Sequence, residues 1–195
     1  MTNLNEEYYL LYPDLNPAYP MIIAELDGNF IDRPVINGVD LDIYLDEPKP
    51  RKPQYVDYHS SGSVPVISRS FADVLQPLDI YGTQILQGTT GDVIDDLKLD
   101  YYLLHVHHLI NCLDLKGSDI DYDKTLNLVD DVRSFTLDSA RLAKLPEEQR
   151  LIFVVREYPI FYIFHQSIVD IVERADLKGM RFIPVKKWND NAHFK

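Results

Sequence analysis

Three histidines within four positions, His105, His107 and His108, are the densest set of side chains in this chain that could ligate a metal ion or move a proton. Residues two apart on a strand share a face, so His105 and His107 could both present a ring nitrogen to one zinc ion. Two ligands fall short of the three or four that zinc takes, and neither a cysteine pair nor a helical His-Glu-x-x-His is present to complete the set. The pair reads as structural or as surface, with a metal-binding enzyme built on it as a rival. His108 falls on the more apolar face of the same run and reads as a hydrogen-bonded core histidine.

The second constellation is acidic. Asp119, Asp121, Asp123 and Asp130 occupy positions 1, 3, 5 and 12 of a calcium-loop template, with Asn127 at position 9. Position 6 is Lys124 where the sharp turn wants glycine, and position 12 is Asp where a bidentate Glu is usual. The other readings are a solvated edge whose charges discourage strand pairing and an interaction surface. Between residues 92 and 131, ten aspartates stand against three lysines, a net charge of −7 that holds more than half of the excess. Asp92, Asp95, Asp96, Asp119, Asp121, Asp123, Asp130 and Asp131 are therefore the candidate contact residues for a partner of opposite charge.

No catalytic nucleophile stands out. Gly-x-Ser-x-Gly is absent, Cys112 lies in an apolar alternation typical of an inert buried thiol, and no glycine-rich loop precedes a helix to cradle phosphate. The sequence implies no cofactor. Tyrosine is in excess, with 13 residues, and beside acidic groups it suits packing or a protein-binding surface.

Composition bounds the class of protein that must position these groups. The chain has 195 residues, 46% of them hydrophobic, enough to bury one sizeable core. A formal net charge of −12 argues against a surface that grips nucleic acid or anionic lipid and favours a basic protein partner. Cys112 is the single cysteine, so no internal disulfide points to an oxidising compartment. Met1 to Leu15 lacks a basic flank followed by an apolar run, and no stretch reaches the roughly 18 apolar residues of a membrane span, so the expected location is the cytoplasm.

Residues 1–63 are punctuated by Pro13, Pro17, Pro20 and Pro34. They end in a Pro- and Ser-rich connector, so few regular elements are expected there beyond a strand at Met21 to Leu26. From 64 to 187 the pattern is orderly. Ser68 or Ser70 can cap a helix with Phe71, Val74, Leu75 and Leu78 at i, i+3, i+4 and i+7, disrupted by Pro77. Tyr101 to Ile110 is the longest strand candidate, with Tyr102, Leu104, Val106, His108, Ile110 and Cys112 on its core face. Asp138 can cap a short helical turn, and Leu151 to Val155 and Ile160 to Phe164 read as strands. A helix carrying Ile168, Ile171, Val172 and Ala175 is ended by Gly179, a last strand covers Met180 to Val185, and 188–195 read as a polar tail. The expected fold is α+β, a single domain with a mainly antiparallel sheet and two or three short amphipathic helices.

The ordered pieces, taken in sequence, carry a family resemblance. They are Ile67-Ser68-Arg69-Ser70-Phe71-Ala72-Asp73-Val74-Leu75, then Tyr101-Tyr102-Leu103-Leu104 with Cys112-Leu113-Asp114-Leu115-Lys116-Gly117-Ser118. Ile160-Phe161-Tyr162-Ile163 and Leu177-Lys178-Gly179-Met180-Arg181-Phe182-Ile183-Pro184-Val185 complete the set. From about Val66 to Val185 the chain resembles the bacterial immunity-protein family once classed as a domain of unknown function and named for a Myxococcus immunity protein; the first 60 residues do not contribute. The resemblance implies a non-enzymatic cytoplasmic protein that binds a cognate secreted or contact-delivered toxin in the producing cell and blocks it. It supplies no catalytic residues. The charge suits a basic toxin, such as a nuclease, without contact to nucleic acid or membrane. An adaptor or chaperone for a secretion-system effector is the alternative from another class.

Overall fold

The computed structural model describes residues 4–61, 64–90, 100–123, 125 and 128–190. Among them, fourteen strands and three helices build an α+β fold whose strands pair mainly antiparallel. The strands divide among four sheets. The largest contains β1 (Tyr8–Pro13), β9 (Leu109–Ile110), β12 (Ile152–Val155), β13 (Tyr162–His165) and β14 (Met180–Pro184), in the order β14-β1-β13-β12-β9. A second sheet orders β4 (Tyr58–Ser61), β5 (Val64–Ser68), β8 (Tyr101–Val106) and β6 (Thr83–Gln87). β2 (Ile22–Leu26), β3 (Leu41–Leu45) and β7 (Thr89–Thr90) form a third, and β10 (Asp119–Asp123) with β11 (Leu128–Ser134) forms a hairpin.

Alternation along the strands sorts the core into three clusters. On the five-stranded sheet, Tyr8, Leu10, Phe153, Val155 and Ile163 face one cluster, against which Ile120 and Val129 of the hairpin pack. Leu11, Ile152, Val154 and Phe164 face the opposite cluster, shared with Phe71, Leu75, Ile168, Val169 and Val172 of the helices. The sheet is thus buried on both faces, which is why β12 is an unbroken apolar run with no polar alternation. Strand β8 is likewise two-sided. Leu104 and Val106 join the helical cluster, whereas Tyr101 and Leu103, expected on an outer face, are buried with Ile22, Ala24, Leu41 and Ile43 of the three-stranded sheet.

The helices start where side chains can cap them. In α1 (Arg69–Leu75) the Ser68 hydroxyl accepts the Phe71 N–H at 3.2 Å, and Pro77 turns the chain into a short 3-10 segment. In α2 (Ser139–Leu142) the Asp138 carboxylate accepts the N–H groups of Ala140 and Arg141. α3 (Gln166–Arg174) is capped by a ring instead, His165 Nδ1 accepting the Ser167 N–H at 3.3 Å.

Four expectations need correction. Residues 1–63 hold four strands, because their prolines fall at or between strand ends: Pro13 closes β1, Pro20 precedes β2 and Pro34 lies between β2 and β3. The run from Tyr101 to Ile110 breaks after Val106, where the His107 N–H bonds to Gly82 O and the chain crosses into the five-stranded sheet. α3 is ended by Asp176 in the left-handed region (φ 53°), and Gly179 (φ 95°) serves another purpose. A Cβ there would stand 2.5 Å from Val56 Cγ2 and 2.6 Å from Tyr58 O, so the glycine admits the connector against β14. Finally, Trp188, expected in a polar tail, is buried against Phe135 and Phe161 with ring centroids 5.3 and 4.8 Å away.

Candidate functional site

The acidic series is built on the hairpin. Ile120 alternates with Asp119 and Asp121 on β10, so turning the isoleucine to the core leaves the carboxylates in solvent. Register brings Asp121 opposite Asp131, and two irregularities in the pairing twist the ribbon. Arg133 binds across it: Nη2 lies 2.7 Å from Asp119 Oδ1, Nη1 3.0 Å from Asp121 Oδ2 and 3.7 Å from Asp131 Oδ2. The hydrogen bond from Arg133 holds the Asp121 carboxyl below its ordinary range. One cation serving three carboxylates leaves the face acidic. Asp130 is exposed beside them, and Asp123 accepts the Thr125 N–H at 2.7 Å. Asp92, Asp95 and Asp96 lie outside the described residues.

Among the described residues, the series does not wrap as the calcium template requires. Its first three template positions sit on an extended strand, and two of those carboxylates are engaged by Arg133.

His105 and His107 do share a face, their rings stacked with centroids 5.4 Å apart. His105 Nε2 lies 3.0 Å from Arg33 O, which ties a loop to β8. Burial lowers the pKa of both rings, and for His107 the two neighbouring histidines lower it further. Among the described residues, no group of three or more His, Cys, Asp or Glu side chains is arranged to hold a metal ion. His108 is only half-buried and meets the Tyr81 ring edge-on at 4.9 Å. Cys112 is fully buried, which pushes its thiol pKa up, as an inert thiol requires.

Two features escaped the sequence. His59, hidden in a Ser-rich connector, is a buried neutral histidine whose Nδ1 donates to Pro20 O at 2.9 Å while Nε2 accepts the Val56 N–H at 3.3 Å. Burial lowers its pKa to about 4. The other is an apolar cleft of about 300 Å³ where three sheets meet, bounded by Leu26, Ile31, Leu103, Val106, Val154 and Ile160. Its walls come from segments tens of residues apart in the chain, so no local spacing announces it.

Among the described residues, no helix is long and apolar enough to cross a membrane. The model of an immunity protein family, Imm11, matches residues 24–187, a span that contains both the hairpin and every wall of the cleft. No curated protein matches the chain.

Proposed function

Because the chain belongs to the Imm11 immunity protein family, we propose that it binds and neutralises a cognate secreted or contact-delivered bacterial toxin in the cytoplasm of the producing cell. The observation that carries this reading is the extent of the match, which runs from β2 to the turn after β14 and so takes in nearly the whole fold. Immunity calls for a surface that recognises a protein, and the role given to this chain is binding without catalysis.

The acidic hairpin supports a basic partner. Exposed carboxylates steer an oppositely charged protein to the right face and raise its association rate more than its final affinity. A nuclease toxin is basic where it grips phosphate, and Asp119, Asp121, Asp123, Asp130 and Asp131 would compete for that groove, with Asp92, Asp95 and Asp96 adding to the negative charge of the chain.

The test is growth of a bacterial host expressing the product of the adjacent toxin-like gene, with and without this chain, followed by co-purification. Rescue with a stable complex is expected. An expressed, active toxin that is neither bound nor relieved overturns the reading, and a complex without rescue assigns the chain to an adaptor role instead.

A further inference from the structure

Immunity by direct binding, the reading on which this inference rests, needs more than charge. Exposed ion pairs govern encounter, whereas affinity concentrates in a few bulky side chains seated in pockets and shielded from water. The cleft where the three sheets meet has the size and lining for such an anchor. Two isoleucines stand at its rim with unusual exposure, Ile31 at 60% and Ile160 at 47%, while Leu103, Val106 and Val154 form its buried floor.

Its outer wall is held in place before any partner arrives. His105 Nε2 meets Arg33 O at 3.0 Å, and the Arg33 guanidinium lies over the Phe30 ring, 5.0 Å from its centroid. The Gln84 side-chain amide bonds both backbone groups of Val35, at 2.7 and 3.2 Å. Arg156 reaches across to Asp32 at 3.5 Å and joins the Ile31 wall to the Ile160 wall. A wall fixed in this way loses little freedom on binding.

Charge identifies the occupant. Residues 21–46, which supply the outer wall, carry six carboxylates against Arg33 alone, and both rim cations, Arg33 and Arg156, are already engaged. On the far side, Tyr158 adjoins Pro159 and Ile160 of the cleft. Its ring packs against the cluster that also receives Ile120 and Val129 of the hairpin, on the face of the five-stranded sheet opposite Val154.

We propose that this cleft is the anchor site for the cognate toxin, receiving one bulky apolar side chain from a toxin segment that carries lysine or arginine on either side of it. The anchor fills the space between Ile31 and Ile160, and the flanking cations meet the acidic wall segment of residues 21–46.

The neutral substitutions Ile31→Gln and Ile160→Gln, singly and together in the full chain, test this against the purified product of the adjacent toxin-like gene. Both side chains are exposed, and an unchanged melting temperature verifies the fold. The double variant is expected to weaken the complex at least tenfold, through faster dissociation with unchanged salt dependence, and to lose rescue in parallel. A wild-type complex whose affinity survives both glutamines overturns the cleft assignment and leaves immunity standing. A wild-type chain that neither binds nor rescues overturns both. Dissociation by the glutamines of a dimer of this chain, with toxin affinity unchanged, gives the cleft to a second copy and also overturns the proposal.

Discussion

Asn5 and Leu137, 132 residues apart, are joined as two strands would be: Asn5 Nδ2 donates to Leu137 O at 2.9 Å, and Asn5 Oδ1 accepts the Leu137 N–H at 2.7 Å. The amide substitutes for a backbone partner at the point where the chain leaves its bridge to Leu113 and enters α2. Asn5 is 5% exposed, so water cannot replace these bonds. Asn5→Ala strands one buried donor and one buried acceptor and is expected to cost about 2 to 4 kcal/mol in urea unfolding. Loss of less than about 1 kcal/mol would show that the bonds are remade by solvent.

The same contact makes the first residues part of the core. β1 lies inside the five-stranded sheet, paired with β13 on one side and β14 on the other, and Tyr8 and Leu10 fill the cluster beneath it. A chain that starts at residue 64 is expected to lack cooperative unfolding and to expose apolar surface, read by circular dichroism and dye binding. A sharp thermal transition in that fragment would contradict the placement of β1.

The elements that local chemistry specifies were legible in the sequence. Ser68 and Asp138 cap their helices because the hydroxyl or carboxylate needs only the next turn, and the apolar run at β12 needs only burial. What was illegible depends on partners distant in the chain. Tyr8 to Tyr12 reads as strand only once β13 and β14 flank it, and Tyr101 and Leu103 read as core only once β2 and β3 cover their face. For the candidate site, the alternation of Asp119 and Asp121 showed that they share a face, but Arg133 between them required the hairpin register. The cleft had no signal at all, since Ile31 sits in a proline-punctuated stretch and Ile160 reads as the head of a strand that in fact begins at Tyr162, and only the fold brings the two to one rim.

Gly179 is where the close approach of two segments has no slack. Gly179→Ala adds a methyl group against Val56 and the Tyr58 carbonyl and forces a side-chain-bearing residue to φ 95°. Overpacking and backbone strain together are expected to cost about 2 to 4 kcal/mol, seen as a lower melting temperature. A variant as stable as the parent would mean that the connector moves aside freely.

Acid should find His59 first. The folded state keeps this ring neutral with a pKa of about 4, whereas the unfolded chain protonates near the ordinary 6.5. Between those values the unfolded state binds the extra proton, so the stability is fully present above pH 6.5 and is lost as pH falls towards 4. The loss amounts to about 3 kcal/mol by linkage, and the lowered rings of His105, His107 and His108 add in the same direction. His59→Gln, whose amide can still donate to Pro20 O, is expected to flatten the dependence of urea stability on pH across this window. A slope equal to that of the parent would place the acid sensitivity elsewhere.

The hairpin separates charge from packing most cleanly. Asp119→Asn, Asp121→Asn and Asp123→Asn together remove three negative charges without changing side-chain size, and Ile120 and Val129 still seat the ribbon on the core. If the toxin is steered by this face, stopped-flow mixing at low salt should show association slowed several-fold, with a shallower dependence on ionic strength and an almost unchanged dissociation rate. That pattern is the reverse of the one expected from Ile31→Gln with Ile160→Gln, so the two variants distinguish the steering surface from the anchor. Association and salt dependence equal to the parent's would remove the hairpin from the toxin interface, and the charge that draws a basic partner would then have to come from the acidic segment that walls the cleft.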